Sequence, residues 1–143
     1  MSAYNTVIQV RFGHVDPAGI AYFPRIYDWF HQAMEAWFDE ALGRPYADVI
    51  RADLGFPAVR SEAEFLRPCA LGDDLQVHLA VERVGERSVT LAYVVTGSDP
   101  SDRRATGRTV VVATRLREMR STPVPAEIRA AMEPYRSESG KSG

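Results

Sequence analysis

Between positions 24 and 42 the chain puts an apolar side chain at nearly every helical step, a density found nowhere else over a comparable length. Ile26, Phe30, Ala33, Met34, Trp37 and Ala41 form one stripe at three- and four-residue spacing, and Tyr27, Trp29 and Phe38 widen it beyond what a surface helix needs. Arg25, Asp28, Gln32, Glu35 and Asp39 leave a single narrow polar face. The spacing predicts a helix over 24–42 that other elements must enclose. Pro24 suits its first turn, where a missing N–H costs nothing, and Gly43 is a natural stop.

What can enclose it is β-structure. Positions 6–12 alternate with Ile8, Val10 and Phe12 on one side, and positions 75–82 and 89–95 alternate in the same way. The tight connection Gly85-Glu86-Arg87 predicts that the last two form a hairpin. Further strands are expected at 58–66 and 105–116, and short helices at 45–54 and 123–132. One buried helix, early in the chain and followed by antiparallel strands, reads as an α+β fold. At 143 residues there is material for one domain, taken as 1–136, with small polar residues at 137–143 expected to be a disordered tail.

Composition narrows the class of partner. A formal net charge of −2 offers no global attraction for nucleic acid or a membrane surface, and no apolar run approaches the length that crosses a bilayer. Cys69 is the only cysteine, so no intrachain disulfide can form, and no signal peptide is apparent; a cytoplasmic setting is expected.

The chemistry concentrates in the segment between the first strand and the long helix. Asp16 lies in a Pro/Gly turn, Asp16-Pro17-Ala18-Gly19, directly before a helix whose first N–H groups lack intrahelical acceptors. A carboxylate beside such donors can attack, or direct water at, a carbonyl whose oxygen they hold. Gly19 permits a backbone conformation closed to larger residues. By local sequence alone, an Asp before Pro-x-Gly reads first as an ordinary turn or cap residue, and it is the wider motif that favours a catalytic Asp16. His14 reads as a strand-end histidine bonded to backbone, with tuning of the carboxylate as its functional alternative. The pair His14 and Asp16 lacks further ligands at metal spacing, so no metal is expected.

Asp16-Pro17-Ala18-Gly19-Ile20, followed by Tyr22-Phe23-Pro24, resembles the signature of the hotdog-fold acyl-CoA thioesterases of the 4-hydroxybenzoyl-CoA thioesterase family. Ala63-Glu64-Phe65-Leu66-Arg67-Pro68 and Gly72-Asp73-Asp74-Leu75 are similar to that family's strand and turn after the helix, and the resemblance spans 6–118. It implies a long helix wrapped by a curved antiparallel sheet of about five strands, in homodimers or homotetramers with active sites between subunits. It implies hydrolysis of an acyl-CoA, with 4-hydroxybenzoyl-CoA as the guiding substrate. Asp16 would be nucleophile or general base, the Phe23 backbone N–H the oxyanion donor, and Tyr22 and Tyr27 part of the acyl pocket. His31 stands where the family's aromatic-acyl members place a polar residue near that pocket, although 4-hydroxybenzoyl recognition calls for a carboxylate there. By spacing, His31 is equally suited to ion pairs with Asp28 and Glu35 along the helix edge.

Arg87 and Ser88 match a position of basic nucleotide contacts, although Gly85 and Glu86 beside them are not basic; Arg60, Ser61 and Arg67 are further candidates. Coenzyme A is part of the substrate, so no separate cofactor is implied. Alternatives are an aliphatic acyl-CoA or acyl-carrier-protein thioesterase, a hotdog dehydratase, and an acyl-CoA-binding module without turnover.

Overall fold

In the computed structural model, which describes residues 3–137, a sixteen-residue helix α1 (Arg25–Glu40) lies against a five-stranded antiparallel sheet. Pro24 starts α1 with φ −65°, and Gly43 ends the segment at φ +67°, where the Arg44 N–H donates to the Phe38 carbonyl. Trp29, Phe30, Ala33, Trp37 and Phe38 are buried, as the wide apolar stripe requires. Each large side chain so buried contributes about 1.5–3 kcal/mol. Gln32, Glu35 and Asp39 are exposed, as is His31.

The sheet contains β1 (Tyr4–Gln9), β3 (Ala58–Phe65), β4 (Asp74–Val84), β5 (Ser88–Thr96) and β6 (Arg103–Val112), in the order β1-β4-β5-β6-β3. Four strand spacings would put the two edges about 19 Å apart if the sheet were flat. A helix is only about 10–12 Å wide. Yet α1 touches both edge strands, β1 and β3, as well as β4, so the sheet must curl around it. Register irregularities at Ala58/Arg60, Val81/Arg83 and Val95/Thr96 are where such bending concentrates. Leu75, Val77, Leu79 and Val81 of β4 and Val89, Leu91, Tyr93 and Val95 of β5 are the inward, buried set.

A second, three-stranded sheet joins β2 (Leu54–Gly55), β7 (Thr114–Arg115) and β8 (Arg120–Ser121) beside the short helices α2 (Tyr46–Arg51) and α3 (Ala126–Met132). Strands of two residues have no period to detect: β2 and β8 have no counterpart among the expected strands, and β7 falls inside the one expected at 105–116.

Two expectations need correction. The single strand expected at 105–116 is divided, because β6 ends at Val112 and Thr114 pairs in the other sheet. Val112 donates to the carbonyl of Pro57, which has no N–H to return, so the ladder stops there. Phe12, expected on the core side of the first strand, is 83% exposed, because the strand gives way to a 3-10 turn over Phe12–His14. The expected tail falls outside the described residues except for Ser137, whose N–H donates to the Val81 carbonyl.

Candidate active site

Three hydrogen-bonded layers hold the turn that carries Asp16. Its own N–H donates to the Ile20 carbonyl at 3.0 Å, its carbonyl accepts from Gly19 at 2.9 Å, and its Oδ1 accepts from the Ala18 N–H at 2.9 Å. This is an Asx turn, closed by Gly19 at φ +79°, a conformation that L side chains rarely adopt. Val15 bridges Ala21 in antiparallel fashion, so the turn is a tight loop whose two legs are paired.

His14 sits at the base of that loop. Its Nδ1 accepts the Arg11 N–H at 2.9 Å, its ring packs edge-on against Trp29 with centroids 5.4 Å apart, and its carbonyl accepts the Tyr22 N–H at 2.8 Å. The backbone-bonded histidine expected from the sequence is what the structure contains. Burial and the nearby Arg25 guanidinium hold the imidazole pKa below its ordinary 6.5.

The helix start sorts the two amides next to the turn. The Tyr22 N–H is engaged by His14, whereas the Phe23 N–H has no acceptor among the described residues. The Tyr22 carbonyl accepts from Arg25 within the first turn of α1. Because a trans peptide directs its C=O and N–H oppositely, the Phe23 N–H therefore points away from the helix. Phe23 lines a cleft of about 260 Å³ with Ile20, Phe65, Leu66, Arg67 and Cys69, and its ring meets Phe65 edge-on at 5.8 Å.

The far wall of the turn is the loop between β3 and β4. The Ala21 N–H donates to the Cys69 carbonyl, and the Leu71 N–H to the Gly19 carbonyl. Arg104 pins this loop from β6: Nη1 donates to the Pro68 carbonyl at 3.0 Å and to Asp73 Oδ2 at 2.9 Å, while Nε and Nη2 grip both oxygens of Asp102. The Ala70 N–H and the Arg104 guanidinium hold the Asp73 carboxyl below the usual carboxylate range, and burial raises the Cys69 thiol. Sequence reasoning missed Arg104, because nothing local marks it; its partners lie up to 36 residues away.

A second cavity, about 430 Å³, opens between α1 and the sheet. Tyr27, His31 and Ser61, three of the residues singled out from sequence, line it together, along with Phe30, Tyr46 and Tyr93. Phe30 and Tyr93 stack at 4.4 Å, and Ser61 Oγ lies 3.0 Å from Thr109 Oγ1. Burial raises the phenol pKa of both Tyr46 and Tyr93, so both hydroxyls stay protonated. Asp28 pairs with Arg25 at 3.1 Å, and His31 has no ion-pair partner among the described residues. The remaining sequence candidates lie elsewhere. Arg60 lines a groove with Glu62, Glu82 and Arg108, and Arg87 donates to the Ser121 carbonyl at 2.8 Å, with Ser88 beside it at the hairpin. Among the described residues no cluster of ligands suits a metal ion, and no helix is long and apolar enough to cross a membrane.

The family model described as the Thioesterase-like superfamily matches residues 10–132, which includes the turn, α1 and the whole curled sheet except β1. The chain belongs to the Thioesterase-like superfamily. Within and around that superfamily, it is 29% identical over 92 residues to the 1,4-dihydroxy-2-naphthoyl-CoA hydrolase of Prochlorococcus marinus (strain NATL2A), and the match spans 59% of either chain. It is 25% identical to the solved structure of BH1999 gentisyl-coenzyme A thioesterase, with a TM-score of 0.83 over 90% of this chain and 99% of that one. It is 32% identical to the PA2801 protein from Pseudomonas aeruginosa, with a TM-score of 0.79 over 89% of this chain and 95% of that one. The superfamily and its hotdog fold thus agree with the resemblance read from the turn, at a coarser level than the 4-hydroxybenzoyl-CoA family.

Proposed function

We propose that this protein is an acyl-CoA thioesterase, which hydrolyses an aromatic acyl-CoA of the hydroxybenzoyl kind to the free acid and coenzyme A. The reading rests on one observation above others: a carboxylate, Asp16, lies in a hydrogen-bonded turn, and an amide donor without an acceptor, Phe23 N–H, follows directly after that turn closes at Tyr22, at the start of a buried helix. In the proposed reaction the Phe23 N–H holds the thioester oxygen as it gains charge, an interaction typically worth about 3 kcal/mol in the transition state. Asp16 either attacks the carbonyl, forming a mixed anhydride that water then opens, or takes a proton from the attacking water. Both routes yield the carboxylic acid and the thiol from thioester and water, and neither requires a cofactor.

An aromatic acyl group is favoured by the cavity of about 430 Å³, walled by Tyr27, Phe30, Tyr46 and Tyr93 and carrying His31 and the Ser61–Thr109 hydroxyls. The two hydrolases named above act on hydroxylated aromatic acyl-CoAs, in keeping with this choice. Tyr22 is assigned to the substrate beside Phe23. Arg60, Arg67, Arg87 and Ser88 are assigned to the coenzyme A phosphates, Arg67 being at the mouth of the Phe23 cleft. The exposed edge strand β3 supports pairing with a second copy in a dimer or tetramer that completes the site. A cytoplasmic setting completes the proposal.

Thiol release from a panel of aromatic, aliphatic and carrier-bound thioesters tests the reading, with Asp16→Asn alongside. We expect turnover on aromatic acyl-CoA and a loss of roughly 100- to 10,000-fold in Asp16→Asn. Undiminished hydrolysis in the variant removes Asp16 from the mechanism, and binding without thiol release across the panel makes the protein a binding module.

A further inference from the structure

His14 takes no part in the proposed reaction, yet it ties together the three segments that make the site. Its N–H donates to the Arg11 carbonyl and its ring Nδ1 accepts the Arg11 N–H, so it satisfies both main-chain groups of Arg11, two residues beyond β1. Its carbonyl takes the Tyr22 N–H, which distinguishes the engaged amide from the unengaged one at Phe23. Two residues later comes Asp16.

A backbone N–H can only donate, so the Nδ1 facing Arg11 must carry no proton and the neutral ring must hold its proton at Nε2. An imidazolium has an N–H at both nitrogens and would set donor against donor at that position. We propose that His14 is a positioning residue of the catalytic turn, whose neutral ring holds Asp16 and the Phe23 amide in place and whose protonation releases them. This rests on the thioesterase reading and adds to it a built-in acid-side switch.

The surroundings support a neutral ring. From α1, Arg25 and Asp28 face His14 with opposite effects on its charge, Trp29 packs edge-on against the ring, and Arg11 stands at the start of the 3-10 turn that holds His14. Burial is the largest influence, and with the two arginines it outweighs Asp28 to lower the pKa. Protonation therefore occurs below the ordinary 6.5 rather than above it. At neutral pH the turn is assembled; on acidification it loosens.

The test follows amide and imidazole resonances of the wild-type protein by NMR as pH falls from 8 to about 4, beside kcat for thioester hydrolysis. The proposal expects the Arg11, Asp16, Tyr22 and Phe23 amides to shift with the midpoint of the His14 ring, and kcat to fall with the same midpoint. His14→Asn, whose side-chain oxygen can accept the Arg11 N–H without titrating, should keep the neutral-pH rate and lose that midpoint from both readouts. His14→Phe, without an acceptor, should lower kcat on the order of ten- to a hundredfold at every pH, with KM little changed. Amides at Asp16 and Phe23 that ignore the His14 midpoint overturn the proposal, as does His14→Asn that retains it. A wild-type protein that hydrolyses no thioester refutes the thioesterase reading, while the NMR titration still decides whether His14 holds the turn.

Discussion

At the scale of single residues, two positions translate geometry into measurable outcomes. Asp16 has one oxygen bonded to the Ala18 N–H, and the two routes open to it differ in where solvent oxygen goes. In a single turnover in labelled water, a mixed anhydride opened at the Asp16 carbonyl returns an unlabelled Asp16 oxygen in the acid and leaves label in the protein, an outcome that general-base catalysis, which labels the product directly, cannot give. Gly107, on β6, is the second. A Cβ there would collide with the Phe30 ring and come within 2.9 Å of the Glu62 carbonyl. Because Phe30 stacks on Tyr93 at the floor of the cavity, Gly107→Ala should destabilise the fold by about 1–3 kcal/mol, read from denaturant midpoints, and weaken aromatic acyl substrates more than aliphatic ones. Asp16 is legible in the sequence because its motif is local. Gly107 is not, because its constraint is a ring 77 positions away in a different element (from the numbering of Gly107 and Phe30).

At the scale of elements, the loop between β3 and β4 is a wall of the turn that carries Asp16, and Arg104 fixes its position. With its side chain only 17% exposed, Arg104 joins Pro68, Asp73 and Asp102. Arg104→Met removes the guanidinium that links those acceptors and should cost about 1–3 kcal/mol of stability, with activity falling as well because Cys69 and Leu71 brace Ala21 and Gly19. The pH dependence has a definite sign. The Ala70 N–H and Arg104 hold the Asp73 carboxyl below its ordinary 3.8, so its contribution is fully present above the unfolded value and is lost as pH falls through the folded one. Urea midpoints measured from about pH 5 down to about pH 2 should show this loss, and Asp73→Asn should flatten that part of the curve. Strand and helix periods placed the long elements well, within a few residues at their ends. They failed at the 3-10 turn over Phe12–His14 and at Ala113, where Pro57 ends a ladder from a neighbouring strand.

At the scale of the whole molecule, β3 is an edge strand with nearly every residue exposed, including Val59 and Phe65. Such an edge invites pairing with another strand. We expect a dimer or tetramer by light scattering, and Val59→Lys, which places a charge on that edge, should shift it toward monomer.

The buried helix, the antiparallel strands and the Asp16 turn are each written in spacing along a continuous stretch of chain, and so are legible before folding is considered. Which amide at the helix start lacks an acceptor, how His14 bonds both Arg11 and Tyr22, and the sharing of one cavity by Tyr27, His31 and Ser61 emerge once the chain is folded. Those facts depend on the curl of a sheet whose two edges meet one helix, and on hydrogen bonds whose partners no local pattern specifies.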